Sequence, residues 1–153
     1  MVVDAMAATL ITFAVAISAL LTVNAVVNHF ALIRPKASRI TSKVAILIPA
    51  RDEESSITSA VQSALNQQLL ENFEVVVLND ASTDATAKKL LAFTDPKLKV
   101  ITGESELPQG WLGKTWACHR LSESVEADFL VFIDSDVTLE PLAVASAINS
   151  LIE

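Results

Sequence analysis

Asp134 and Asp136 stand one serine apart at the end of an apolar run, Phe129 to Ile133, in the stretch ADFLVFIDSDVTLEP. Two carboxylates at i and i+2, leaving a strand, can converge on one hard cation or on a cation and a hydroxyl. Magnesium and manganese prefer such oxygen ligands and commonly keep phosphate oxygens in their shell. The plainer alternative is a solvated turn in which Asp136 or Thr138 caps the next helix. Two other apolar runs end in the same manner. VAILIPA leads into Arg51, Asp52 and Glu53, and FEVVVLND closes on Asn79 and Asp80.

A fourth segment, LPQGWLGKT, invites comparison with a phosphate-binding loop. Only two residues separate Gly110 from Gly113, where a Walker A loop has four, so that comparison fails. What remains is a glycine-containing loop that delivers Lys114 and Thr115 to a helix N-terminus. Backbone amides and one ammonium there suit a diphosphate, and a solvated lysine beyond a capped loop is the alternative. Nucleophilic catalysis finds no support: there is no Gly-x-Ser-x-Gly elbow, and His29 lies in an apolar segment. Cys118 and His119 are neighbours on a helix, so their side chains diverge by about 100°. No Cys or His cluster suggests zinc. Trp111 and Trp116 could stack on a sugar or base, though packing between helix and sheet is the commoner fate of Trp.

The elements that position these groups alternate. The continuous apolar run at 44–50 predicts a parallel strand covered on both faces, and 73–80 reads as the second strand. A shorter strand is expected at 98–102 and another at 128–134. Between them, Ile57, Ala60, Val61, Ala64 and Leu65 mark a helical stripe within 53–69. Residues 82–93 read as a helix capped by Ser82 or Thr83, 114–125 as a third, and a last begins near Glu140 and Pro141. Strand–helix alternation of this kind predicts a doubly wound, mostly parallel sheet. Ligands of such sheets lie beyond the carboxyl ends of the strands, where strand order reverses. All the acidic strand ends therefore belong on one side of the domain.

Ahead of this domain, residues 5–33 carry no formal charge. The run exceeds the roughly 20 residues needed to cross a bilayer as a helix. A cleavable signal would begin with a positive region, whereas MVVDAM contains Asp4. Arg34, Lys36, Arg39 and Lys43 follow the run in a linker, 34–43, which predicts a single-pass anchor with the domain on the cytoplasmic side. The lone Cys118 agrees with a reducing compartment and reads most simply as a small apolar residue in a helix. From Ile40 onward eight Lys and Arg face seventeen Asp and Glu. That balance excludes nucleic acid, whose phosphates demand a basic footprint. An acidic site still accepts an anionic ligand when a divalent cation lies between them.

Four segments in order, VAILIPARDEESSI, EVVVLNDASTDAT, LPQGWLGKTWACHRL and ADFLVFIDSD, resemble the donor half of family 2 glycosyltransferases with the Rossmann-like GT-A fold. The resemblance covers residues 44–153, and the Gly-Trp-x-Gly-Lys-x-Trp run resembles membrane-bound members associated with hopanoid and carotenoid glycosylation. It implies that Pro49, Arg51, Asp52 and Glu53 meet the nucleoside, with Glu53 the more regular contact. It places Asp80 against the base, usually uracil, and Lys114 near the nucleotide. Asp134 would face ribose and donor sugar, and Asp136 would bind a Mg2+ or Mn2+ ion on the diphosphate. The catalytic base of such enzymes lies further along the chain than Glu153, so residues 44–153 correspond to a truncated domain. The implied activity is an inverting transfer from a nucleotide-sugar, UDP-linked, to an acceptor such as a lipid. A non-catalytic nucleotide-sugar-binding module is the alternative. A nucleotidyltransferase fits less well, because PARDEESS lacks the Gly-rich, basic loop after the first strand.

Overall fold

The computed structural model describes residues 2–31, 35–103 and 107–152. Leu32, Ile33 and Arg34, at the junction of the expected anchor and linker, lie outside the described residues, as do Glu104 to Glu106 and Glu153. Two units result, divided between Arg34 and Pro35. The first contains one helix, α1 (Val2–Ala31). Its segment Ala5–Ala31, with a mean hydropathy of 2.3, is long and apolar enough to cross a membrane. Three of its threonines and an asparagine pair are satisfied within the helix. The hydroxyls of Thr9, Thr12 and Thr22 donate to the carbonyls four residues earlier at 2.8–2.9 Å, and Asn28 donates to Asn24 at 3.0 Å. Such internal bonding is what a polar group in an apolar medium requires.

The second unit is built on a parallel sheet of β1 (Ile40–Ala50), β2 (Leu70–Asp80), β3 (Leu98–Gly103) and β4 (Phe129–Phe132), in the order β3-β2-β1-β4. The chain steps outward from β1 to β2 to β3, then returns to the other side of β1 with β4. That reversal divides the helices between two faces. α2 (Ile57–Leu65), α3 (Thr86–Leu90) and α5 (Ala143–Ile152) cover one face, where Val44, Ile46, Ile48, Val75 and Val77 meet Ile57, Val61, Leu90 and Ile148. α4 (Gly113–Glu123) covers the other, setting Ala117 and Leu121 on Ala45, Leu47, Val76 and Leu78. Val44 to Ile48 are wholly buried, as two covered faces demand of β1.

Several elements differ from the sequence expectation. β1 opens at Ile40, where Ile40 pairs with Leu70 ahead of a bulge. Lys43 of the expected linker is therefore a strand residue, paired with Glu74 at 3.4 Å, and Arg39 pairs with Glu71. α2 and α3 are shorter than their sequence stripes, for reasons found in the loops below. β4 ends at Phe132, opposite Leu47, although the Ile133 amide still donates to Leu47 at 3.1 Å. Because Leu47 turns its carbonyl toward β4, Pro49 turns its nitrogen the same way, past the end of that strand. A residue without an N–H costs nothing there. β4 borders the sheet, and its α4-side residues Leu130 and Phe132 remain 41% and 44% exposed.

Candidate functional site

A cleft of about 340 Å3 opens at the carboxyl ends of the strands, at the point of reversal between β1 and β4. Pro49, Arg51 and Glu53 enter it from the end of β1, Asp80 from β2, Lys114 from the first turn of α4, and Asp134 and Asp136 from the segment after β4. Seven of the eight residues that the resemblance placed at the donor thus share one cavity, and Asp52 is the one that does not line it. Gly113 and Ala117 complete the α4 wall with no bulk.

The carboxylate pair flanks a buried residue. Ser135, 6% exposed, is seated in the turn at the cleft wall, while Asp134 and Asp136 on either side of it are exposed. The turn is closed by the Val137 amide, which donates to the Asp134 carbonyl at 3.1 Å. Further along, the segment is fastened to the opposite end of α2. The Leu139 amide donates to Ser63 Oγ at 3.0 Å. Buried Gln67 donates to the Glu140 carbonyl at 2.9 Å and accepts from the Val144 amide at 3.0 Å.

The two loops at the other wall are bonded directly to each other. Asp52 adopts a left-handed backbone, φ 54°, and its Oδ1 accepts from the Thr83 amide at 2.7 Å and hydroxyl at 3.1 Å. Its own amide donates to Ser82 Oγ at 3.0 Å. Glu54 bonds twice across the same gap: its amide donates to Asp84 Oδ2, and its Oε2 accepts from the Ala85 amide, both at 3.0 Å. Beneath them, fully buried Thr86 accepts from the Glu53 amide at 2.8 Å. These bonds correct the expected helix cap. Ser82 and Thr83 clamp the β1 loop instead of capping α3, which begins at Thr86 after Ala85. They also give Asp52 a holding task at the rim, while Glu53 faces the cleft with its Oε2 accepting from Ser56 at 2.7 Å.

Two ion pairs set the electrostatics. Lys114 Nζ lies 2.6 Å from Asp134 Oδ1. That hydrogen bond raises the ammonium above its ordinary range, against slight desolvation, so Lys114 stays charged. Arg120 Nη1 lies 3.2 Å from Asp80 Oδ1. Burial pushes the Cys118 thiol up, which keeps it protonated and poor as a nucleophile. Arg120 escaped the sequence reading because a lone arginine late in a helix resembles any solvated residue. Among the described residues no group of three or more His, Cys, Asp or Glu is arranged to hold a metal. With Asp134 paired to Lys114, Asp136 is the exposed carboxylate left to the cleft, and its oxygens fit magnesium or manganese, whose remaining oxygen ligands come from phosphate and water.

Fold and site together define a doubly wound α/β domain with its ligand cleft at the switch point. The chain belongs to glycosyl transferase family 2, whose family model matches residues 45–153. It is 34% identical over 105 residues to 4,4'-diaponeurosporenoate glycosyltransferase of Staphylococcus aureus, an alignment covering 68% of this chain and 27% of that enzyme. The structure is similar to S. aureus TarS 1-349 in complex with UDP-GlcNAc, with a TM-score of 0.59 and 29% identity over 69% of this chain and 30% of that one. The mannosyltransferase PcManGT of Pyrobaculum calidifontis, solved with GDP-Man and Mn2+, shares the fold: TM-score 0.65, 20% identity, 78% of this chain and 35% of that one. The four-stranded sheet is accordingly part of a GT-A domain.

Proposed function

We propose that this chain carries the donor-binding part of a membrane-anchored glycosyltransferase that moves a sugar from a UDP-sugar to a lipid acceptor with inversion. The observation that carries the reading is the convergence of Asp80, Lys114, Asp134 and Asp136 with Pro49, Arg51 and Glu53 on one cleft at the strand-order reversal. Similarity to TarS, solved with UDP-GlcNAc, supports a UDP-linked donor. Relatedness to a diaponeurosporenoate glycosyltransferase and the apolar helix α1 support an acceptor held at a membrane. Lys36, Arg39 and Lys43 favour the cytoplasmic side for the domain.

In this reading Glu53 and Asp80 hold the nucleoside against the β1–β2 wall. Asp134 orients ribose and donor sugar, and Asp136 holds a divalent cation on the diphosphate. A cation bound there supplies Lewis-acid stabilisation of the leaving phosphate. Lys114, already charged and 2.6 Å from Asp134, adds a second positive group beside the developing charge. The acceptor hydroxyl attacks the anomeric carbon from the face opposite the diphosphate, which leaves with the bonding electron pair. The hydroxyl proton passes to a general base, a carboxylate that the family resemblance places further along the chain than Glu153, and none of the seven cleft residues is assigned that role.

Calorimetric titration of UDP into the detergent-solubilised chain, with and without Mn2+, tests the site. UDP binding that requires Mn2+ and vanishes in Asp136→Ala supports the reading. Cation-independent binding that survives the substitution would remove Asp136 from its assigned role. Nucleotide binding without sugar transfer by the chain would favour a non-catalytic donor-binding module.

A further inference from the structure

Asp80 is the end of β2, and register places it opposite Gly103 at the end of β3. Arg120 reaches the pair from α4. A Cβ on Gly103 would lie 2.8 Å from both terminal guanidinium nitrogens and 2.9 Å from Asp80 Oδ1. Its backbone is ordinary, so glycine is needed here for space and not for conformation. Three residues distant in sequence are thus fitted together, and the Asp80 and Arg120 side chains are only 20% and 18% exposed.

The pair also stands at a partition. Asp80 lines the donor cleft, whereas Arg120 lines a second hollow with Leu78 and Ile101. The guanidinium therefore holds the carboxylate from behind. A carboxylate with both oxygens open offers two parallel acceptors, which match the adjacent N1–H and N2–H donors of guanine. A carboxylate whose Oδ1 is engaged from behind by arginine keeps lone pairs on both oxygens but turns chiefly the other oxygen to the cleft, and that single presented acceptor matches the lone N3–H of uracil.

We propose that Arg120 is a positioning residue that, in the space left by Gly103, makes Asp80 present a single acceptor and so selects uracil over guanine nucleotides. The proposal rests on the cleft being a nucleotide-sugar site and deepens that reading. It assigns base choice to two residues that do not themselves line the cleft.

The test is calorimetric titration of UDP, GDP and N3-methyl-UDP into the full chain in detergent with Mn2+. Wild type, Arg120→Met, Arg120→Lys and Gly103→Ala are compared, with thermal melts establishing that each is folded. Wild type should favour UDP over GDP by about tenfold or more and reject N3-methyl-UDP, in keeping with the discrimination carried by well-placed base contacts. Arg120→Met should bring the UDP:GDP ratio close to one, Arg120→Lys should restore much of it, and Gly103→Ala should shift it as Arg120→Met does by crowding the guanidinium off its seat. A purely structural role would weaken both nucleotides equally, and an unchanged ratio in folded Arg120→Met overturns the proposal while leaving the donor site standing. Failure of wild type to bind any nucleotide overturns the donor site and this proposal together.

Discussion

The two walls of the cleft are held in different ways. At the ends of β1 and β2, the bonds are made by residues of the rim itself: Asp52 with Ser82 and Thr83, Glu54 with Asp84 and Ala85, Glu53 with Thr86. After β4, the fastening is remote. Ser63 and Gln67 grip residues 139–144, while the carboxylates further up the turn meet α4 through the Lys114–Asp134 pair. The first wall is fixed before any ligand arrives, which suits recognition of a rigid base. The second is fixed at its root, and its exposed tip is held by the Lys114–Asp134 pair and the Val137–Asp134 turn bond, which leaves Asp136 open to a cation whose shell is completed by the ligand's own phosphates.

Replacing one buried anchor behind each wall should separate the two. Thr86→Val removes the acceptor for the Glu53 amide, and Gln67→Leu strands the Val144 amide while the Glu140 carbonyl keeps only its bond from the Ala143 amide. Each should cost about 1–3 kcal/mol, the penalty for stranding buried polar groups, measured as a shift in urea midpoint at constant slope. Their effects on ligands should differ. Thr86→Val should weaken UDP even at saturating Mn2+, while Gln67→Leu should mainly raise the Mn2+ concentration that UDP binding requires. Equal losses in both variants would dissolve the contrast between the walls.

A smaller effect comes from acid. The Asp84 carboxyl is held below its ordinary range, chiefly by the hydrogen bond from the Thr86 side chain. Since the folded chain binds this proton less readily than the unfolded one, the contribution is complete above the usual carboxylate range near about pH 4. It is lost as pH falls through the lower folded value. Urea midpoints measured from pH 7 downward should therefore drop less steeply in Asp84→Asn than in wild type. Identical acid limbs would show that the rim bonds contribute nothing through this group. Smallest of all should be Phe132→Ser on the open face of β4. Removing a half-exposed side chain should change stability by no more than about 0.5 kcal/mol. Its visible effect should be reduced self-association in sedimentation, as expected when an apolar sheet border is blunted.

The sequence already showed the strands and the residues at their ends, because both are local patterns. Val44 to Ile48 are apolar without a break since two faces bury them, and polar residues resume where β1 leaves the core. Helix limits were less legible. Ser82 and Thr83 have the chemistry of caps, but their partner, Asp52, lies thirty residues away, so no local rule favours clamp over cap. Arg120 and Gly103 were hidden for the same reason. Their meeting depends on β3 pairing with β2 and on α4 crossing the opposite face, and neither is written in the residues nearby.

α4 also works as a measuring rod. Lys114 and Arg120 are six residues apart on one rigid helix, about 9 Å along its axis. One reaches Asp134, beyond the end of β4, and the other Asp80, at the end of β2. The spacing between those ends is thereby geared to the pitch of a helix and not to the slack of a loop. Adding a single residue between them would turn one charge about 100° out of step with the other, and the cleft would lose its gauge for length.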